Sequence, residues 1–184
     1  MGRARCAILP DVQAGVRWHN HPLVGLALAA LIVVLDQITK AWAVDTLAFR
    51  APETLTSWFD LTLTFNTGAA FSFLADAGGW QRWFLTAVSL LVSGFIAIWL
   101  FRLPPPERVL VWPLGLILGG GIGNLIDRWQ LGYVVDFISL HYRDWYWPAF
   151  NVADSAITLG AIWWLVGLLL WGRRDRTKEA QDQP

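Results

Sequence analysis

Two aspartates lie in short, largely apolar runs where a pair of carboxyls could do chemistry. Asp136 lies in the run Tyr133-Val134-Val135-Asp136-Phe137-Ile138, and Asp154 in Phe150-Asn151-Val152-Ala153-Asp154-Ser155. Two carboxyls held close together cannot both ionise easily. One keeps its proton and can polarise a carbonyl, while the other, as carboxylate, takes a proton from an attacking water. That chemistry needs no cofactor, and other hydrolytic arrangements are missing from the sequence. His19 and His21 precede the first apolar block, His141 has no recognisable serine partner, and no His-Glu-x-x-His spacing occurs. The lone cysteine, Cys6, lies in the N-terminal tail, poorly placed for catalysis beside these polar residues and unable to form an intrachain disulfide.

Further polar groups surround the two acids. Asp36 and Lys40 are four apart on one helical face and can pair, although a lysine there also fits a helix-end cap that snorkels to the membrane interface. Asn124, Asp127 and Arg128 share a face at three-and-four spacing, which a structural Asp127–Arg128 pair would also explain. Asn151, Asp154 and Ser155 share another, with an N-cap as the alternative role for Asp154. Asp136 is open to two readings, a buried acid or one exposed on a loop. Either Asp127 or Asp136 could face Asp154. Asp127 has Arg128 beside it, whereas Asp136 has only apolar neighbours, which raise a carboxyl's pKa as a shared proton requires.

The elements that must position these groups are long apolar blocks. Of the 184 residues, 55% are hydrophobic and 15% charged, and the apolar residues fall in four blocks of spanning length: 23–44, 83–101, 109–126 and 155–171. The reading is an all-α membrane protein of four transmembrane helices with a small extracytoplasmic β-sheet element. A tail of residues 1–22 and another of 173–184 flank the membrane domain at 23–172. The first block reads as a retained span, since the first twenty residues hold arginines but no apolar core or small-residue cleavage pattern. Trp42, Trp80, Trp83, Trp99, Trp112 and Trp171 sit near block ends, as interface anchors do. Gly115, Gly119 and Gly123 at four-residue spacing let another helix approach closely. Pro104, Pro105 and Pro106 force a tight reversal between the second and third blocks. Phe59 to Asn66 alternates apolar and polar residues, the period of a half-buried strand, and Ala69 to Phe73 is expected to return as a second strand.

Nine of the fourteen Lys and Arg residues fall in the two tails and the proline loop, which places both termini in the cytoplasm. Asp36 then lies nineteen positions beyond Arg17, Asp127 nineteen beyond Arg108 and Asp154 nineteen before Arg173. At the helical rise each acid stands about 28 Å above the inner basic flank, near the outer face. A net charge of zero gives no electrostatic case for nucleic acid.

Five blocks in order carry a resemblance. Asp36-Gln37-x-x-Lys40, Asn66-x-Gly68-Ala69-Ala70-Phe71, Gly119-Gly120-x-x-Gly123-Asn124-x-x-Asp127-Arg128, Val134-Val135-Asp136-Phe137 and Phe150-Asn151-x-Ala153-Asp154-Ser155 resemble the lipoprotein signal peptidases, or signal peptidase II. The resemblance spans about Leu23 to Trp171. It implies an aspartyl endopeptidase of the bacterial inner membrane that cuts diacylglyceryl-modified prolipoproteins just before the lipid-modified cysteine. It makes Asp136 and Asp154 the catalytic pair, with Asp36, Lys40, Asn66, Asn124, Asp127, Arg128 and Asn151 supporting the pair or holding substrate. No metal or other cofactor is implied. The expected partners are prolipoproteins and membrane lipids, with no nucleic acid, and the chain is expected to act as a monomer. The competing reading is an ion-coupled transporter or channel using the intramembrane carboxylates, against which stand their clustering at one face and the lack of an internal repeat. A non-catalytic scaffold would leave the convergence of Asn and Asp unexplained. The Gly-x-Gly-Asp string of another intramembrane protease class is absent.

Overall fold

A computed structural model describes residues 21–68, 78–104 and 109–181, with the side chains of His21 and of 170–181 outside the description. Four helices carry most of the chain: α1 (His21–Thr46), α2 (Trp80–Arg102), α3 (Val111–Gln130) and α4 (Val152–Gln181). Four strands join them: β1 (Glu53–Thr56), β2 (Phe59–Asn66), β3 (Val134–Tyr142) and β4 (Trp145–Tyr146). Three of the helices, 22–46, 80–102 and 152–169, are long and apolar enough to cross a membrane, and only 17–22% of each apolar window is buried inside the protein. Leu31, Val34, Leu91, Phe95, Ile162 and Leu165 face outward, as lipid-facing side chains must when the solvent is hydrocarbon. α3 differs. It packs against all three other helices and buries Leu114, Gly115, Leu118, Gly119 and Gly120.

The ends of the helices have identifiable local causes. α2 starts after Gly78 and Gly79, both at positive φ, and stops at Leu103, which adopts the extended conformation demanded by Pro104. α3 runs past the predicted 126, so that Asp127 and Arg128 are helical, and ends at Gly132 (φ 88°), with Leu131 N and Gly132 N both donating to Asp127 O. Asn151, not Asp154, caps α4. Its Oδ1 accepts Asp154 N at 2.9 Å, because the helix begins three residues earlier than the block at 155–171 suggests. At the other end, α4 remains helical through 173–181, the stretch read as a tail.

Small residues set the helix spacing. A Cβ on Gly119 would lie 2.7 Å from Ala29 O of α1, and one on Gly120 would collide with the Ala153 carbonyl of α4. Away from the sheet, Ile96 and Leu100 of α2 pack with Leu110, Leu114 and Leu118 around α3. In that half Trp99 of α2 meets Trp164 of α4 edge to face.

The strands form one antiparallel sheet in the order β1-β2-β3-β4, seated on the end of α1 through Ala43, Leu47, Leu63, Val135 and Phe137. The alternating segment 59–66 is β2, as its period requires. Its pairing with β3 sets Thr64 opposite Asp136 and Asn66 opposite Val134. The strand expected at Ala69 to Phe73 lies outside the described residues, as do Pro105, Pro106 and residues 1–20.

Candidate active site

Lys40 organises the polar centre. Its Nζ reaches Asp36 Oδ2 at 2.8 Å, Asp127 Oδ2 at 2.9 Å and Asn124 Oδ1 at 3.0 Å, which uses all three ammonium hydrogens. The residue is 3% exposed, so it does not snorkel to an interface. The second carboxylate oxygens are also engaged. Asp36 Oδ1 accepts Ala153 N of α4 at 2.9 Å, and Asp127 Oδ1 accepts Gln37 Nε2 at 2.9 Å. Asp127 Oδ2 additionally accepts Val135 N at 3.1 Å. One ion cluster therefore joins α1, α3, the start of α4 and β3.

The Asp127–Arg128 pair expected from adjacency is not formed. Successive side chains on a helix diverge, and Asp127 takes its cation from α1 instead. Arg128 Nη2 donates to Gly68 O at 3.0 Å and Nη1 to Asn124 O at 3.4 Å, tying α3 to the segment after β2. Its buried Nε has no partner among the described residues.

Two asparagines connect this cluster to the remaining acids. Asn124 Nδ2 donates to Asp154 Oδ1 at 2.7 Å. Asn151 Nδ2 donates to Asp136 Oδ1 at 2.7 Å while Asn151 Oδ1 caps α4 under Asp154. Asn66 Nδ2 approaches Asp136 Oδ2 at 3.3 Å from β2. Asp136 is 2% exposed, which decides between its two readings. Burial, and then the charge of Asp154, push its carboxyl up to about 7, against the opposing pull of the Asn66 and Asn151 hydrogen bonds and the Lys40 charge. An acid poised there is half ionised at neutral pH, as a general acid or base should be.

All nine residues singled out in the sequence thus meet in one connected network: Asp36, Lys40, Asn66, Asn124, Asp127, Arg128, Asp136, Asn151 and Asp154. Asn66, Asn124, Arg128 and Asp154 also line a cavity of about 720 Å³ whose remaining walls are largely apolar, including Leu85, Val88, Phe150 and Ile157. Sequence reasoning assigned no role to Gln37, although its place in the Asp36 motif was visible. It also missed Arg82 of α2, which donates to Arg128 O at 3.1 Å and Trp129 O at 2.6 Å and so satisfies the last carbonyls of α3. Only its partners in space reveal that role. Among the described residues, no group of three metal-ligating side chains occurs.

The family model described as signal peptidase (SPase) II matches residues 28–170. The chain belongs to the signal peptidase II family. It is 47% identical over 171 residues to a protein of Teredinibacter turnerae named lipoprotein signal peptidase, covering 93% of this chain and 95% of the relative. A protein of the same name from Acinetobacter baumannii is 51% identical over 161 residues, covering 86% and 92%. Among solved structures, one described as a bacterial membrane enzyme superposes with a TM-score of 0.71 at 25% identity, covering 87% of this chain and 93% of that one. Another of the same description gives 0.67 at 26% identity, covering 79% and 92%. A signal peptidase II is a protease of the bacterial membrane, and this membership sets the transport reading aside.

Proposed function

We propose that this protein is an aspartyl endopeptidase with Asp136 and Asp154 as its catalytic pair. In this reading it removes signal peptides from diacylglyceryl-modified prolipoproteins and cuts just before the lipid-modified cysteine. The observation that carries it is the convergence of two carboxyls, one from β3 and one from the first turn of α4, with Asn151 donating to the Asp136 carboxyl and accepting the Asp154 N–H, beside a largely apolar cavity. The name of the relatives supplies the substrate class. The apolar walls suit a signal peptide and the acyl chains on the cysteine that follows it.

The chemistry follows from the carboxyl pair. In its active form the pair holds one proton, kept at Asp136 by burial and by the charge of Asp154. The ionised Asp154, which faces the cavity, takes a proton from water as that water attacks the scissile carbonyl. Protonated Asp136 donates a hydrogen bond to the developing oxyanion. Collapse of the tetrahedral intermediate breaks the C–N bond, and the amine of the modified cysteine leaves with the proton gained by Asp154. Asn66, Asn124 and Asn151 orient the pair, while Asp36, Lys40, Asp127 and Arg128 hold the elements that carry it. The reaction draws on no cofactor. In the same reading the chain has four spans, α3 being the innermost, with both termini cytoplasmic and the site near the outer face of the inner membrane, and it acts as a monomer on prolipoproteins among membrane lipids.

The test is turnover of a diacylglyceryl-modified precursor by purified variants. Asp136→Asn and Asp154→Asn should each lose cleavage by at least about a thousandfold while still binding precursor, as expected when half of an acid–base pair is removed. Wild-type turnover by either would exclude it from the pair. A stable, binding-competent but inactive Asp127→Asn would put Asp127 in the place of Asp136.

A further inference from the structure

The cavity beside Asp154 is bounded by α2 and α4 with α3 behind it, and two hydroxyls, Ser89 of α2 and Thr158 of α4, stand among its lining groups. A serine or threonine within a helix in apolar surroundings ordinarily bonds back to a carbonyl of the preceding turn. Among the described residues Thr39 does so to Leu35 O at 2.8 Å, Thr86 to Arg82 O at 2.7 Å and Ser155 to Asn151 O at 2.9 Å. Ser89 and Thr158 do not. Among the described residues neither hydroxyl has a hydrogen-bond partner.

A peptide bond can be attacked only where the chain is unwound, because a helix engages its carbonyls in intrahelical bonds and screens them. In hydrocarbon an unwound peptide has no water to take over those bonds, so its N–H and C=O groups need partners from the protein. Thr158 is one helical turn beyond Asp154, about 6 Å deeper in the bundle. An extended chain advances about 3.3 Å per residue, so Thr158 is level with the second residue before a bond cut at Asp154. Ser89 stands on the opposing wall.

We propose that Ser89 and Thr158 form a main-chain recognition site, which holds the two or three substrate residues preceding the scissile bond in an extended conformation through hydrogen bonds to their peptide groups. The proposal rests on the reading that the cavity holds the signal peptide and that Asp136 and Asp154 cut it. It adds a source of specificity that ignores side-chain identity, since a peptide group is the same at every residue. Both are positioning residues and touch no reacting atom.

The experiment pairs protein variants with a backbone-modified substrate. The full-length enzyme in lipid nanodiscs is given a diacylglyceryl-modified precursor peptide, or the same peptide with the amide two residues before the cut replaced by an ester, which lacks the N–H and has a weaker carbonyl acceptor. Ser89→Ala and the isosteric Thr158→Val should each lower kcat/KM about fivefold, the effect of one ordinary hydrogen bond. The ester should cost wild type about fivefold and the double variant less than twofold. Equal ester penalties on wild type and double variant would overturn the proposal, as would wild-type kcat/KM in both single variants. Precursor affinity measured in an Asp154→Asn background repeats the comparison without turnover. Non-additive binding there, together with continued cleavage by Asp154→Asn, would remove the catalytic pair and leave the main-chain site standing.

Discussion

Lys40 is a single cation shared by two buried carboxylates, and the balance depends on it. Removing one partner of a buried ion pair leaves uncompensated charge in a poorly polarisable interior, at a cost of about 3–5 kcal/mol. Lys40→Met should therefore lower thermal stability sharply, because Asp36 and Asp127 would then face each other without a counterion. Neutralising both acids in the same chain should restore part of the loss, and a triple variant no more stable than Lys40→Met would refute the charge argument. Asp136 obeys the opposite logic. Its carboxyl sits near 7 in the fold against an ordinary 3.8, so the fold favours the protonated form. That stabilisation is complete below about 3.8 and is lost as pH rises through 7, by an amount on the order of 4 kcal/mol at most. Melting temperatures of wild type and Asp136→Asn should accordingly converge or cross between pH 4 and pH 8, with wild type losing ground as pH rises. If Asp136 holds the catalytic proton, as proposed, the same ionisation should make kcat/KM fall above about pH 7. A wild-type stability that climbs relative to Asp136→Asn over this range would contradict the burial assigned to the acid.

At the scale of elements, the site depends on how closely α3 approaches its neighbours. The carbonyl of Ala153, one residue before Asp154, rests against Gly120, and Ala153 N is held by Asp36. Any side chain at Gly120 must push the first turn of α4 outward, and Asp154 with it. Gly120→Ala should cost about 1–3 kcal/mol and lower turnover, as overpacking does. Gly167→Ala, further along α4 with open space around it, serves as control and should be neutral or slightly stabilising. Unchanged turnover in Gly120→Ala would mean that α4 can move without disturbing its acid. Such packing was only partly legible in the sequence. Four-residue glycine spacing announced a close helix contact and period-two alternation announced β2, because both patterns are local. The partner of Asp127 is 87 residues away on α1, and adjacency pointed wrongly to Arg128, since neighbouring side chains on a helix point in different directions. β3 was harder to read than β2. It is buried along most of its length, so its apolar run lacks the alternation that marks a one-sided strand. The role of Arg82 was invisible for a similar reason, since carbonyls at the end of another helix leave no trace in the residues around it.

For the molecule as a whole, the remaining question is which way it crosses the membrane, and that orientation decides which compartment reaches the site. The helices alternate in direction, so the sheet, the ion cluster and the starts of α2 and α4 share one end, while the beginning of α1, the end of α2 and the start of α3 share the other. Basic residues mark the second end. Arg102 and Arg108 flank the proline turn, and Arg3, Arg5 and Arg17 precede α1, a distribution that cells retain on the cytoplasmic side. The sheet end carries the other five cations against nine in the tails and the proline loop; Lys40, Arg82 and Arg128 are tied to groups of the fold, and Arg50 and Arg143 each stack on a neighbouring aromatic ring. Exposed Trp58, Trp80, Trp83, Trp129, Trp145 and Trp147 crowd the same end, as residues do where apolar rings meet headgroups. We therefore expect the sheet outside and the proline turn inside. In a Cys6→Ser background, a cysteine at exposed Thr54 of β1 should react with a membrane-impermeant maleimide in intact spheroplasts. One at Glu107 should react only after the membrane is opened. Labelling of Glu107→Cys from the outside, with Thr54→Cys protected, would invert the molecule and place the carboxyl pair at the cytoplasmic face, where a precursor's cleavage region would not meet it after export.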